Sequence, residues 1–255
     1  VQEHETVALE QALGRFLAQP LAARVDHPGF DNSMMDGYAV NAADARAHDF
    51  VLPVVGESSC GSAPGALAPG TAMRIYTGAP LPAGADTVVI QEDVRLEDGR
   101  VRLPRTLAAG DNVRYRGEDY RAGEALYAPG RRLTALDIAL LASAGIESVS
   151  VYRRPRVLVA ATGNELVPPG RALAPGQIYE SNRLALALQL RALGAEVEDG
   201  GIVRDELAAL DALLARAEDY DFIVTSGGAS VGDYDLVRQA FSRRGTLTLW
   251  KVRIK

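Results

Sequence analysis

The sequence predicts a mixed α/β protein of several modules, and three features of its texture carry that prediction. Short apolar runs punctuated by Gly and Pro fill residues 27 to 120 and read as a β-rich module. From Arg156 onward, near-continuous apolar strands alternate with helices, the pattern of a doubly wound parallel sheet covered on both faces. The first twenty residues carry an amphipathic pattern that reads as a helix.

Each element has its own warrant. Val7, Leu9, Leu13, Phe16 and Leu17 fall near one helical face, and Pro20 stops the helix. Strands are expected at Phe50–Val55, Met73–Tyr76 and Thr87–Ile90, and a hairpin pairs Asp93–Leu96 with Arg100–Leu103 across Asp98-Gly99. Thr134 caps a helix through Ala144 that Gly145 ends, and Ser148–Tyr152 is a strand. The alternation then runs strand Val157–Ala161, helix Arg183–Leu193 capped by Asn182, strand Glu196–Val203, and a helix from Glu206 capped by Asp205. Strand Phe222–Thr225, a helix from about Tyr234 and strand Thr246–Val252 complete it, and the sheet stops abruptly at Lys255, as if incomplete.

Composition excludes several functions. The 255 residues carry a net charge of −6, which argues against a dedicated nucleic-acid binder. No apolar run approaches the roughly 18 residues that span a bilayer, no signal peptide opens the chain, and a cytoplasmic protein is expected. Cys60 is alone, and His4, His27 and His48 are scattered, so neither a disulfide nor a zinc cluster is expected. The basic residues are arginines except for Lys251 and Lys255, a placement that points to a need for a compact ammonium there.

In a doubly wound sheet, ligands bind at the loops leaving the carboxyl ends of strands. Those loops are here Thr162-Gly163-Asn164-Glu165 and the stretch Thr225 to Asp233, which contains Ser226, Gly227, Gly228, Ser230 and Gly232. Small residues running into a helix can cradle a phosphate; they are also what a tight turn needs. The spacing is neither Walker A nor G-x-G-x-x-G. Asp36, Asp119, Glu165, Asp205, Asp233 and Asp235 lie in or beside loops, where a lone carboxylate is usually a cap or a solvated charge. Gathered near a phosphate, they suit Mg²⁺. The loops at 30–39 and 77–86 are folded, polar segments whose composition leaves turn architecture and function both open.

Seven stretches carry a resemblance. FDNSMMDGYA (30–39), TGAPLPAGADTVV (77–89), RYRGEDYRAG (114–123), TGNEL (162–166), IYESN (178–182), TSGGASVGDYD (225–235) and WKVRIK (250–255) resemble, in order, the motifs of the MoeA family. These are molybdopterin molybdenumtransferases, with the gephyrin E domain as the animal counterpart. The resemblance implies an enzyme that takes adenylylated molybdopterin and molybdate, uses Mg²⁺, inserts molybdenum and releases AMP. It also implies a homodimer, contact with a MogA-type adenylyltransferase, and an elongated helical module (1–26 plus 121–153). Into that module the β-rich module (27–120) is inserted, and an incomplete MogA-like molybdopterin-binding domain (154–255) follows.

Carried over motif by motif, Asp36, Thr77, Glu165, Asp205, Asp235, Lys251 and Lys255 are the expected catalytic residues. Asp119, Thr162, Gly163, Ser181, Asn182, Ser226, Gly227, Gly228, Ser230 and Gly232 are expected to bind substrate, and Glu165 with Asp235 to hold Mg²⁺; Asp233 competes with Asp235. Met34 stands where the family usually has Ala, and Ala229 where it has Val. The family continues past the second lysine with a Pro-Gly-Lys-Pro motif and a further β domain, so a truncated form is expected. The alternatives are a MogA-like adenylyltransferase, disfavoured by the β-rich insert, and a non-catalytic scaffold.

Overall fold

The computed structural model describes residues 2–63, 65–227 and 236–246. In chain order the elements are β1 (His4–Ala8), β2 (Leu21–Ala22), β3 (Asn32–Ser33), β4 (Gly37–Val40), α1 (Ala42–Ala47), β5 (Val51–Ser58), β6 (Ala72–Ile75) and β7 (Thr87–Ile90). Next come β8 (Arg95–Glu97), β9 (Arg100–Arg102), β10 (Val113–Arg114), β11 (Ala125–Tyr127), α2 (Ala135–Ser143) and β12 (Ser148–Tyr152). Then follow β13 (Arg156–Thr162), β14 (Leu166–Val167), β15 (Ile178–Tyr179), α3 (Asn182–Ala192), β16 (Glu196–Val203), α4 (Leu207–Leu214), β17 (Phe222–Ser226) and α5 (Leu236–Arg244). The predicted strand Thr246–Val252 lies almost entirely outside the described residues.

Two units separate by their packing: Ala8–Leu13 with Gln19–Val149, and Val1–Val7, Gly14–Ala18 and Ser150–Lys255. The first is β-rich. Its main sheet runs in the order β7-β4-β6-β5-β9-β8, antiparallel except for the β5–β6 pair. The Asp98-Gly99 turn closes the β8–β9 hairpin with both residues at positive φ, +49° and +72°, as a two-residue hairpin requires. Tyr38, Val40, Leu52, Val89 and Val101 form the core beneath α1. Asn41 caps that helix, its Oδ1 accepting the amides of Ala43 (3.0 Å) and Asp44 (3.2 Å). A capping box opens α2: Thr134 and Asp137 each accept the other's backbone amide.

The second unit carries a parallel sheet in the order β16-β13-β17. Successive side chains of β13 face opposite sides, so Val157 and Val159 meet Leu186 and Leu190 of α3 while Leu158 and Ala160 meet Leu213 of α4. Leu210 and Leu214 of α4 then pack with Ala240 and Phe241 of α5. That double cover explains why β13 is apolar almost end to end. No helix among the described residues is long and apolar enough to cross a membrane.

Four sequence expectations need correction. Residues 1–20 are not a helix: β1 pairs with β12, Leu9–Gln11 make one 3-10 turn, and Gly14 turns the chain at φ +74°. Leu17 is fully buried, yet Leu13 and Phe16, assigned to the same helical face, are 59% and 46% exposed. Strand pairing with a segment 140 residues away overrides the weak local propensity. The module expected to be helical over 1–26 and 121–153 therefore holds one α-helix, α2. Asn182 does not cap α3, which starts at Asn182 itself; Glu180 Oε1 accepts the Arg183 amide at 2.5 Å instead. Asp205 does not cap α4, whose first residue is Leu207 and whose N-cap position, Glu206, makes no side-chain cap.

Candidate functional site

The β-rich unit brings three of the motifs to one short strand, β3. On one side it pairs with β10, Asn32 opposite Arg114 and Ser33 opposite Val113. On the other it grips the turn at 77–80: the Ser33 amide donates to the Ala79 carbonyl (3.1 Å), and the Gly78 amide donates to the Ser33 carbonyl (2.8 Å). Gly78 sits at φ +80°, which leaves the Thr77 carbonyl free to accept Cys60 Sγ at 3.1 Å.

This seam places Thr77 against Asp36. The Thr77 amide and hydroxyl both donate to Asp36 Oδ1 at 2.8 Å. The Thr77 amide first and its hydroxyl second hold the Asp36 carboxyl below its ordinary range, with Arg74 adding a charge effect. Arg74 lies over the rings of Tyr38 and Tyr76, each 5.2 Å from its guanidinium, and donates to the Gly37 carbonyl and Gln91 Oε1. Asp36 is therefore an ionised, half-exposed carboxylate with a fixed orientation. Asp119 is held apart from that pair by Arg114, whose guanidinium bonds both its oxygens, with His27 Nε2 at 3.6 Å. The Asp119 bond raises the Arg114 pKa.

In the sheet unit, the expected residues gather at the carboxyl ends of neighbouring strands. Thr162 ends β13 fully buried, its hydroxyl without a hydrogen-bond partner among the described residues. Gly227, at φ +94°, lies so close that a Cβ would fall 2.3 Å from the Thr162 carbonyl oxygen and 3.2 Å from its hydroxyl. Only glycine fits there. Gly163 is similarly covered: a Cβ would lie 2.7 Å from Glu165 Oε2, so the carboxylate of Glu165 folds over the glycine. The Asp205 amide donates to Asn164 Oδ1 at 3.3 Å, joining the loop after β16 to the loop after β13. Ser226 ends β17, and Ser181 and Asn182 begin α3.

The base of the 163–180 loop is closed by the β14–β15 pair and by Glu180, whose amide donates to the Val167 carbonyl. Glu180 is buried at 3% exposure beside Arg183, which also pairs with Asp199. The sequence reading quoted Glu180 within a motif without giving it a role; the signal was its position two residues before the helix. Asn164 was likewise quoted within a loop and a motif without a role, and Arg74 was missed, since it shows no local pattern.

Gly228, Ser230, Gly232, Asp233, Asp235, Lys251 and Lys255 lie outside the described residues. Among the described residues no group of three or more His, Cys, Asp or Glu side chains gathers. The available donors at the strand ends, Glu165 and Asp205, are hard carboxylate oxygens, the chemistry that Mg²⁺ prefers.

Comparison with known proteins shows which family the sequence and fold resemble. The family described as MoeA N-terminal region (domain I and II) matches residues 1–145, and one described as a probable molybdopterin binding domain matches 158–255. A molybdopterin molybdenumtransferase from Nostoc sp. is 44% identical over 250 residues, 96% of this chain and 57% of the relative. Another, from Haemophilus influenzae, is 39% identical over 254 residues, 98% of this chain and 63% of the relative. A solved molybdopterin biosynthesis MoeA protein from Pyrococcus horikosii superimposes with a TM-score of 0.83 at 38% identity, over 96% of this chain and 63% of that one. The chain thus spans less than two thirds of the length of these relatives.

Proposed function

The chain belongs to the MoeA family, and on that premise we propose that it is a molybdopterin molybdenumtransferase. It takes adenylylated molybdopterin and molybdate as substrates, transfers molybdenum to the pterin dithiolene and releases AMP. The observation that supports this most is the Asp36–Thr77 pair: a carboxylate oriented by two hydrogen bonds, ionised, half-exposed and placed where three family motifs meet.

In this reading Asp36 and Thr77 orient substrate on the β-rich unit, and Asp119, held by Arg114, binds it separately. On the sheet unit, Thr162, Gly163, Ser226 and Gly227 hold the substrate's phosphates with Gly228, Ser230 and Gly232, while Ser181 and Asn182 contact it from the start of α3. Glu165 with Asp235 would hold Mg²⁺, which when bound offsets charge on the phosphate oxygens. Asp205, free of any capping role, is left to act on substrate. Lys251 and Lys255 balance oxyanion charge with point-like ammonium groups. A homodimer, a MogA-type adenylyltransferase as supplier of the adenylylated substrate, and a cytoplasmic setting belong to the same proposal.

AMP release from adenylylated molybdopterin, followed on adding molybdate and Mg²⁺, tests it. Wild-type chain should release AMP, and Glu165→Ala should lower the rate about a hundredfold or more. Undiminished release by Glu165→Ala removes that residue from the chemistry. Substrate binding without any release favours a scaffold.

A further inference from the structure

A cleft of about 740 Å³ opens at the carboxyl edge of the parallel sheet, within the size range of small-molecule sites. Gly163, Asn164, Gln177, Arg171, Arg204 and Glu206 supply the backbone opening and the polar lining. Arg171 lies in the loop between β14 and β15, and Arg204 follows β16, so the two arginines reach the cleft from different loops.

The hydrogen-bonding capacity of this lining is one-sided. Asn164 Oδ1 already accepts the Asp205 amide (3.3 Å), and Gln177 Oε1 accepts the Ala174 amide (2.9 Å). Their amide nitrogens remain as donors. Among the described residues the Arg171 guanidinium has no carboxylate partner, and Arg204 meets Glu206 only at 4.0 Å, with side chains 80% and 62% exposed. By contrast, Arg183 of α3 and Arg216 after α4 are held by Asp199 and Glu198 of β16. Donors therefore dominate the cleft, and Glu206 is the one acidic side chain among its described lining residues.

We infer that Arg171 and Arg204 form a two-sided clamp for a tetrahedral oxyanion entering this cleft, with Asn164 and Gln177 as neutral donors. Planar guanidinium forks match two oxygens of such an anion at once, and no strong ion pair has to be broken first. The inference deepens the proposed function by giving the anionic part of its substrate a seat on two arginines that lie outside the family motifs. A nucleoside monophosphate, inorganic phosphate and molybdate all carry the required chemistry.

Titration calorimetry of the full chain with AMP, inorganic phosphate and molybdate tests the clamp and separates the three sources. At least one of them should bind. Arg204→Gln should weaken it about tenfold, and Arg171→Gln with Arg204→Gln about a hundredfold. Arg105→Gln, whose arginine pairs with Asp49 on the β-rich unit, should leave it unchanged. Glu206→Gln, which keeps both arginines, should tighten binding, and it decides the matter if the arginine variants fail to fold. Absence of binding in all three arms, equal binding by the double variant, equal weakening by Arg105→Gln, or no gain with Glu206→Gln would overturn the clamp. Binding needs no turnover, so a chain that binds an oxyanion through these arginines yet releases no AMP refutes the proposed function and leaves the clamp standing.

Discussion

At the scale of single residues, Asp36 shows how a fold prepares a side chain for chemistry. Two donors from one threonine fix its carboxylate and keep it ionised. Thr77→Val keeps the amide bond and removes the hydroxyl, so the Asp36 pKa should rise toward the ordinary aspartate value of about 3.9. The acid limb of the AMP-release profile should shift to higher pH accordingly, and an unshifted limb would separate Asp36 from the rate. Gly227 shows the converse, a position where a side chain is forbidden. Gly227→Ala combines a φ of +94° with a 2.3 Å approach to the Thr162 carbonyl, and should cost about 1–3 kcal/mol in chemical denaturation. Thr162, buried with a hydroxyl unpartnered among the described residues, marks the same spot, and its place in a motif made it findable. The Gly227–Thr162 contact itself was not legible, because 65 residues separate the two.

At the scale of elements, legibility followed locality. β7, β12 and β16 have the predicted ends, and the Asp98-Gly99 hairpin forms, because periodicity and turn chemistry act within a few residues. The first twenty residues failed because β1 finds its partner in β12 and Leu17 its bridge to Val151, far along the chain. Two caps also failed: Glu180 reaches the start of α3 from outside the expected position, and α4 starts two residues after Asp205. β3, two residues long, carries no period at all, yet it joins the 30–39, 77–89 and 114–123 motifs. The α2 capping box gives a stability test. Arg131 above all holds the Asp137 carboxyl well below the usual range, so its contribution is present above the unfolded-state pKa of about 3.9 and is lost as pH falls below it. Thr134→Ala should lower stability by about 1 kcal/mol, and Asp137→Asn should flatten the acid side of the stability curve. An unchanged pH dependence in Asp137→Asn would show that the carboxylate is not linked to folding.

At the scale of the whole molecule, each unit owns a core and a cluster of family motifs. The β-rich unit fixes an oriented carboxylate, and the sheet unit offers a glycine-lined strand end and a donor-rich cleft. Composition set limits on both without naming either; the co-linear motifs pointed to their chemistry, and the structure shows how distant motifs meet within each unit. The most direct measurement is molybdate-dependent AMP release from adenylylated molybdopterin by this chain in the presence of Mg²⁺, compared with Asp36→Ala. Release that requires molybdate and falls about a hundredfold or more in Asp36→Ala is the predicted result. Release indifferent to molybdate, or an Asp36→Ala variant as fast as wild type, would contradict the account.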